Sequence, residues 1–285
     1  MSEAAAVLEA VEAGPEEKHG APERLTAKRY AAHRTIVRVG DVAIGGGAPV
    51  VIAGPCSVES REQLLTAAEG VKAAGAALLR GGAYKPRTSP YDFQGLGLEA
   101  LLILREISES TGLPVVSEVM STDDIEVVSD HVDMLQVGAR NMQNFSLLRR
   151  LGKVRRPVLL KRSPAATVKE WLLAAEYILA GGNDQVVLCE RGIRSYDPEL
   201  RNTFDIGGMV LAKTMTHLPV IADPSHATGR RELVPALSRA ALAAGADGLI
   251  VEVHPQPERA LSDGAQSLDI PGFRAMMQDL PVAVV

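Results

Sequence analysis

Cysteine is almost missing from this chain: Cys56 and Cys189 are the only two in 285 residues. Two thiols so far apart make no disulfide framework, which excludes the small stapled secreted scaffolds and fits a reducing compartment. Aromatic residues are also scarce, at 4%, so Val, Leu, Ile and Ala must fill any core. A surplus of positive charge is lacking, and a formal net charge of −5 excludes a general nucleic-acid binder, which needs a broad basic face. No uninterrupted apolar stretch is long enough to span a membrane. The amino-terminal MSEAAAVLEAVEAGPEEKHG has neither the basic start nor the apolar centre of a signal peptide. These absences predict a cytoplasmic protein with neither nucleic acid nor membrane as partner. No Gly-x-Gly-x-x-Gly sits at the first turn, and IGGGAP at 44–49 lacks a following Lys-Ser/Thr, so dinucleotide and phosphate-loop folds are disfavoured.

What the chain does have is eight short apolar runs between residues 49 and 254: PVVIAGPC, ALLRGGAY, PVVSEV, MLQVGAR, PVLLKR, VVLCER, PVIADPSH and GLIVEVH. Stretches with helical spacing follow them, several closing on Gly. Strands apolar on both faces and alternating with helices imply a parallel sheet, and eight such units predict a (β/α)8 TIM barrel. Ahead of it, TIVRVGDVAIGGGAP reads as a β-hairpin able to plug the bottom of the barrel. Residues 1–34 are read as a flexible N-terminal arm with a short helix at AAAVLEAVEA, and residues 35–285 as one catalytic barrel including the hairpin.

Nearly every run ends in a reactive or charged residue, and in such barrels the active site is built at the strand ends. Polar groups there cost free energy unless paired or used. One set comprises Cys56, His226, Glu252 and Asp263: a thiol, an imidazole and two carboxylates, suited to a divalent manganese, iron, cobalt or zinc ion. Cys189, His217 and His254 are left as core or loop residues. The other set is basic: Arg80, Lys85, Arg87, Arg140, Lys161, Arg162 and Arg191. Cations gathered at one rim repel each other unless an anion sits among them, so phosphate or carboxylate is the expected guest. Arg162 adjoins Lys161 on a strand and should point to the opposite face, in an ion pair. A Schiff-base lysine stays open on this reading, though it gives no reason for a metal site.

Six strings, AGPCSVES, RGGAYKPRTSPYDFQGLG, QVGARNMQNF, LCERGIRSYD, DPSHATGRR and EVHPQPERALSDGAQSL, closely resemble the type I 3-deoxy-D-arabino-heptulosonate 7-phosphate (DAHP) synthases over about residues 36–270. The related octulosonate phosphate synthases share the GPC, CERG and EVHP parts but not KPRTSPYDFQG or GARNMQNF. The resemblance implies condensation of phosphoenolpyruvate with erythrose 4-phosphate and release of phosphate, at the head of the shikimate pathway. It implies a metal on Cys56, His226, Glu252 and Asp263, manganese first among the candidates. Arg140, Lys161 and Arg191 would hold the phosphate of phosphoenolpyruvate, Arg80 and Lys161 its carboxylate, and Arg87 and Thr88 the erythrose phosphate. Lys85 would lie between the substrates as proton donor, with Glu118 and Glu190 as carboxylates near the water or the basic cluster. One departure stands out: Ser163-Pro164 follows Lys161-Arg162 where the family has Gly and a small or apolar residue. A changed acceptor in another phosphoenolpyruvate-dependent condensation is the alternative reading, and a catalytically silent barrel a remoter one. The resemblance further implies a short form without an appended regulatory domain, a homodimer or homotetramer, and room for a separate regulatory partner.

Overall fold

The computed structural model describes residues 24–30 and 32–281. The expected helix at AAAVLEAVEA lies outside these residues. A two-stranded antiparallel hairpin, β1 (Val37–Val39) and β2 (Val42–Ile44), precedes eight parallel strands. These are β3 (Val50–Gly54), β4 (Leu78–Arg80), β5 (Val115–Glu118), β6 (Met134–Val137), β7 (Val158–Lys161), β8 (Val186–Glu190), β9 (Val220–Ala222) and β10 (Gly248–Glu252). They pair in chain order, and β10 pairs with β3 to close the barrel. Each of the eight apolar runs supplies one strand, and the hairpin forms as expected.

Helices α1 (Arg61–Ala73), α2 (Leu98–Thr111), α3 (Ile125–His131), α4 (Phe145–Leu151), α5 (Val168–Leu179) and α6 (Ile206–Met215) follow β3 to β8 in turn. After β9 come a short α7 (Pro224–Thr228) and α8 (Val234–Ala243), and α9 (Ile270–Gln278) ends the described chain. Local sequence sets their starts: Thr167 and Glu170 form a reciprocal capping box at α5, and Ser60 accepts from the Gln63 amide at α1.

Alternation along the strands divides the buried residues into two cores. Val51, Leu79, Val115, Leu135, Leu160, Leu188, Val220 and Leu249 face outward against helix residues such as Leu104, Trp171 and Phe273. Ile52, Leu78, Val116, Met134, Leu159, Val187, Ile221 and Ile250 fill the barrel interior. Val37, Val39 and Ile44 of the hairpin join this inner cluster, so the hairpin closes the end of the barrel where the strands begin. Cys189 belongs to the same inner core.

Only the end of the expected arm is described, and there it is docked on the barrel. The backbone amides of Leu25 and Thr26 donate to the Glu176 carboxylate of α5, Thr216 Oγ1 donates to the Thr26 carbonyl, and Lys28 N donates to the Met215 carbonyl. Glu176 lies on the outer surface of α5, so composition around residue 25 gave no sign of this partner. Ile44, fully buried beneath the interior layer, ties the hairpin to the barrel. Ile44→Ala is expected to lower stability by about 2–5 kcal/mol in urea denaturation; a loss below about 0.5 kcal/mol would show that the hairpin is not part of the core.

Candidate active site

Moving two residues along six of the eight strands from the inner apolar layer reaches a polar layer above it. Leu78 is followed by Arg80, Val116 by Glu118, Met134 by Gln136, Leu159 by Lys161, Ile221 by Asp223 and Ile250 by Glu252, all buried. A strand's period of two therefore aims these six side chains into the barrel at the end where the strands finish.

The anionic side of the site lies at β3, β9 and β10. Ligand atoms of Cys56, Glu252 and Asp263 lie within 4.8 Å of one another. His226, on α7, joins through two of the three: its Nε2 is 3.3 Å from Glu252 Oε1 and 3.9 Å from Asp263 Oδ2. Close backbone approach makes this possible. A Cβ on Gly54 would lie 2.2 Å from the Arg80 carbonyl, and one on Gly82 would lie 2.7 Å from the Cys56 carbonyl. Asp263 itself sits at φ 49°, a left-handed conformation that Asp tolerates better than most residues.

Protonation follows from burial and neighbours. Burial, then the Glu252 charge, pushes the Cys56 thiol up to about 12. Burial works against Glu252, yet His226 and Arg80 outweigh it and hold the carboxyl below its ordinary range. Asp263 is likewise brought down to about 2: burial opposes this, and His226, Arg201 and Lys85 prevail. Burial lowers His226, leaving a neutral imidazole near pH 7. One thiol, one neutral imidazole and two carboxylates in contact range mix soft and hard donors, and the set fits a divalent transition metal.

The cationic side lines a cavity of about 650 Å³. Lys85, Arg87, Arg140, Lys161, Arg191, Arg194 and Arg201 border it, against the acidic Asp92, Glu118 and Asp263, with Thr88, Gln136, Asn202 and His226 completing the polar wall. Lys85 Nζ donates to Cys56 Sγ at 2.8 Å, so the two sides meet there. Lys161 Nζ is bonded to Asp223, whose Oδ2 is also 2.7 Å from His226 Nδ1. Arg191 is buried with an Nε that no group among the described residues satisfies, and burial depresses its pKa. A guanidinium in that condition calls for an anion. Arg140 holds only a 3.3 Å bond to the Pro86 carbonyl.

Some expected residues stand elsewhere. Arg80 does not line the cavity: its Nη1 donates to Glu252 Oε1 at 2.8 Å and its Nη2 to the Cys56 carbonyl at 3.3 Å. Glu190, expected near the water or the basic cluster, meets one cation of the basic set, Arg162, on the outer side of its strand. It lies next to the inward Cys189 and so faces outward, where Arg162 Nη1 meets it at 2.9 Å and the Gly192 amide at 2.6 Å. Arg162 also reaches Asp205 at 2.8 Å, the ion-pair role expected of it. Glu118 does face the cavity, with Gln136 Nε2 donating to it at 3.1 Å. Gly138 makes room for it, since a Cβ there would fall 2.0 Å from Glu118 Oε1.

Asp223, Gln136, Arg194 and Arg201 border or support the site and were not singled out from sequence. Asp223 and Gln136 could have been found by counting two residues on from Ile221 and Met134. Arg194 and Arg201 lie in the irregular segment after β8, where no periodicity points. In the loop after β7, Ser163 and Pro164 line the cavity, and the Pro164 carbonyl accepts from the Arg194 amide at 2.9 Å.

Comparison with known proteins agrees with this fold. The model of the DAHP synthetase I family matches residues 23–284. A phospho-2-dehydro-3-deoxyheptonate aldolase of Thermotoga maritima is 51% identical over 259 residues, covering 91% of this chain and 77% of that protein. The crystal structure of a DAHP synthase from the same organism superposes with a TM-score of 0.87 at 50% identity, covering 90% of this chain and 76% of that one. Its truncated form gives 0.83 at 47% identity, with 90% and 94% covered. A 2-dehydro-3-deoxyphosphooctonate aldolase of Syntrophotalea carbinolica is more distant, at 33% identity over 86% of this chain and 94% of that protein. Family match, barrel and strand-end residues converge, and the chain belongs to the DAHP synthetase I family.

Proposed function

We propose that this chain is a DAHP synthase, condensing phosphoenolpyruvate with erythrose 4-phosphate and releasing inorganic phosphate. The observation that carries the reading is a cavity rimmed by seven cationic side chains, one of them the unsatisfied Arg191, that opens beside the Cys56–His226–Glu252–Asp263 cluster. Two phosphorylated substrates need such a rim, and an aldehyde electrophile needs such a cluster. A divalent ion held by those four residues, manganese first and iron, cobalt or zinc as alternatives, would supply Lewis acidity toward the aldehyde oxygen.

Arg140, Lys161 and Arg191 take the phosphate of phosphoenolpyruvate. Its carboxylate falls to Lys161 and to Arg80, which stands behind the cavity wall, shares the Cys56 carbonyl with the wall residue Lys85, and would reach the substrate by giving up that 3.3 Å bond. Arg87 and Thr88 hold the erythrose phosphate at the open side of the cavity, where Arg87 has only a 3.5 Å contact with Asp92. C3 of phosphoenolpyruvate then attacks the aldehyde carbon, and the Lys85 ammonium delivers the proton to the aldehyde oxygen as the C–C bond forms. Water adds at C2, with Glu118 as the inward carboxylate placed to accept its proton. The bond from C2 to the phosphate oxygen breaks, its electron pair leaves with phosphate, and the C2 hydroxyl gives its proton to the departing phosphate as the ketone forms. A cytoplasmic location belongs to this proposal and is supported by the free thiols of Cys56 and Cys189. So does a homodimer or homotetramer, supported by exposed Val210, Leu211 and Met215 on α6.

An octulosonate-type condensation is the second reading, favoured by the Ser163-Pro164 loop on the cavity wall. Manganese-loaded protein given phosphoenolpyruvate and single aldose phosphates is expected to release phosphate fastest with erythrose 4-phosphate; preference for a five-carbon aldose phosphate would overturn the assignment. Arg191→Ala should raise KM for phosphoenolpyruvate roughly 10- to 100-fold, the worth of a charge-assisted hydrogen bond, whereas Arg87→Ala should act on KM for the aldose phosphate. Equal effects of both changes on both substrates would refute this division. Metal uptake at pH 7 should release about one proton, because Cys56 is the only candidate ligand still protonated there. Calorimetry in buffers of different ionisation enthalpy reads that number, which should vanish in Cys56→Ala along with EDTA-sensitive activity.

A further inference from the structure

Glu252 and Asp263 come from different segments, the end of β10 and the loop beyond it, and nothing in the strand pattern fixes their separation. A side chain from a third place joins them. Gln266 is buried at 2% exposure, and its Nε2 donates to Glu252 Oε2 at 2.5 Å. Its Oε1 accepts from Arg201 Nη1 at 2.8 Å, and the same Nη1 lies 3.4 Å from Asp263 Oδ1. Arginine only donates, so the amide oxygen must face Arg201 and the NH2 must face Glu252. The amide has one orientation, set by a cation on one side and an anion on the other.

Glu252 is then held at both oxygens, Oε1 by Arg80 and Oε2 by Gln266. Asp263 is held from the cavity side by Arg201, against the left-handed backbone on which it sits. We propose that Gln266 and Arg201 are positioning residues of the metal site, one bridge that sets the two carboxylates at a fixed distance before an ion arrives. Groups that orient ligands in this way typically change metal affinity 10- to 100-fold when removed. The proposal rests on the reading of the cluster as a metal site and extends it to residues that touch no ion. It gives Arg201 a second duty, since its side chain also borders the cavity.

The test is metal binding without substrates, on the full chain. Gln266→Met keeps the volume and removes both hydrogen bonds; Arg201→Met cuts the bridge at its partly exposed end. Manganese Kd by calorimetry should weaken 10- to 100-fold in Gln266→Met and about tenfold in Arg201→Met. With cobalt, the visible ligand-field bands of the parent should shift in both variants while circular dichroism stays unchanged. A Gln266→Met protein that is folded, with a Kd within twofold of the parent and an unshifted cobalt spectrum, overturns the proposal. If that variant fails to fold, the same two readings on Arg201→Met decide it. A parent that binds neither ion overturns the metal reading together with this one, whereas a binding parent with unaffected variants overturns this one alone.

Discussion

Burial of charge inside a closed barrel is the constraint on which the rest of this structure depends. Arg80 pairs with Glu252 and Lys161 with Asp223, and all four side chains are nearly inaccessible to water. Buried pairs of this kind contribute little net stability against an apolar alternative, although removing one partner alone costs several kcal/mol. Stability must therefore come from below, from the inner layer of Ile52, Leu78, Met134 and Leu159 and from the hairpin residues packed under it. The barrel has two storeys: one folds the chain, and the other does the chemistry.

Charge is sorted within the upper storey. Thiol and carboxylates gather where β3 and β10 adjoin, and the cations occupy the ends of β4 and of β6 to β8. The outcome is a cavity with seven cationic and three acidic side chains in a protein of net charge −5. A field of that sign draws in doubly charged phosphates and disfavours the bulk cations that would compete at the rim.

The eight strands were legible because each is buried on both faces and reads as an unbroken apolar run. Their reactive endings were legible too, since a charge after such a run stands out. What sequence alone left ambiguous was facing. Lys161 and Arg162 could be separated by alternation, and the structure agrees. The same rule was not carried to Cys189-Glu190, where the inward residue is the cysteine and the glutamate turns to Arg162. Asp223 was hidden by its context: before Pro-Ser-His it reads as a helix cap, and it does accept from the His226 amide, but its second oxygen reaches Lys161. Gln136 and Gln266 carry no charge and raise no flag in composition, and Arg201 follows no periodic element. These are contacts between residues far apart in the chain, such as the 65-residue step from Arg201 to Gln266, and no local pattern encodes them.

Three cations of the cavity wall are held by the very groups that would bind a metal, or by the group that orients one. Lys85 donates to Cys56, Arg201 lies against Asp263, and Lys161 is bonded to the Asp223 that faces His226. Without a metal, Arg201 and Lys161 neutralise the carboxylates of Asp263 and Asp223, and Lys85 gives the protonated Cys56 thiol a hydrogen-bond partner. A divalent ion at Cys56 would leave Lys85 free to answer anions in the cavity, while Arg201 stays on Asp263 and Gln266. A metal and an anionic substrate would then meet at one shared side chain, Lys85. That sharing needs no moving domain, because the pairs meet within a few ångströms at the mouth of one closed barrel.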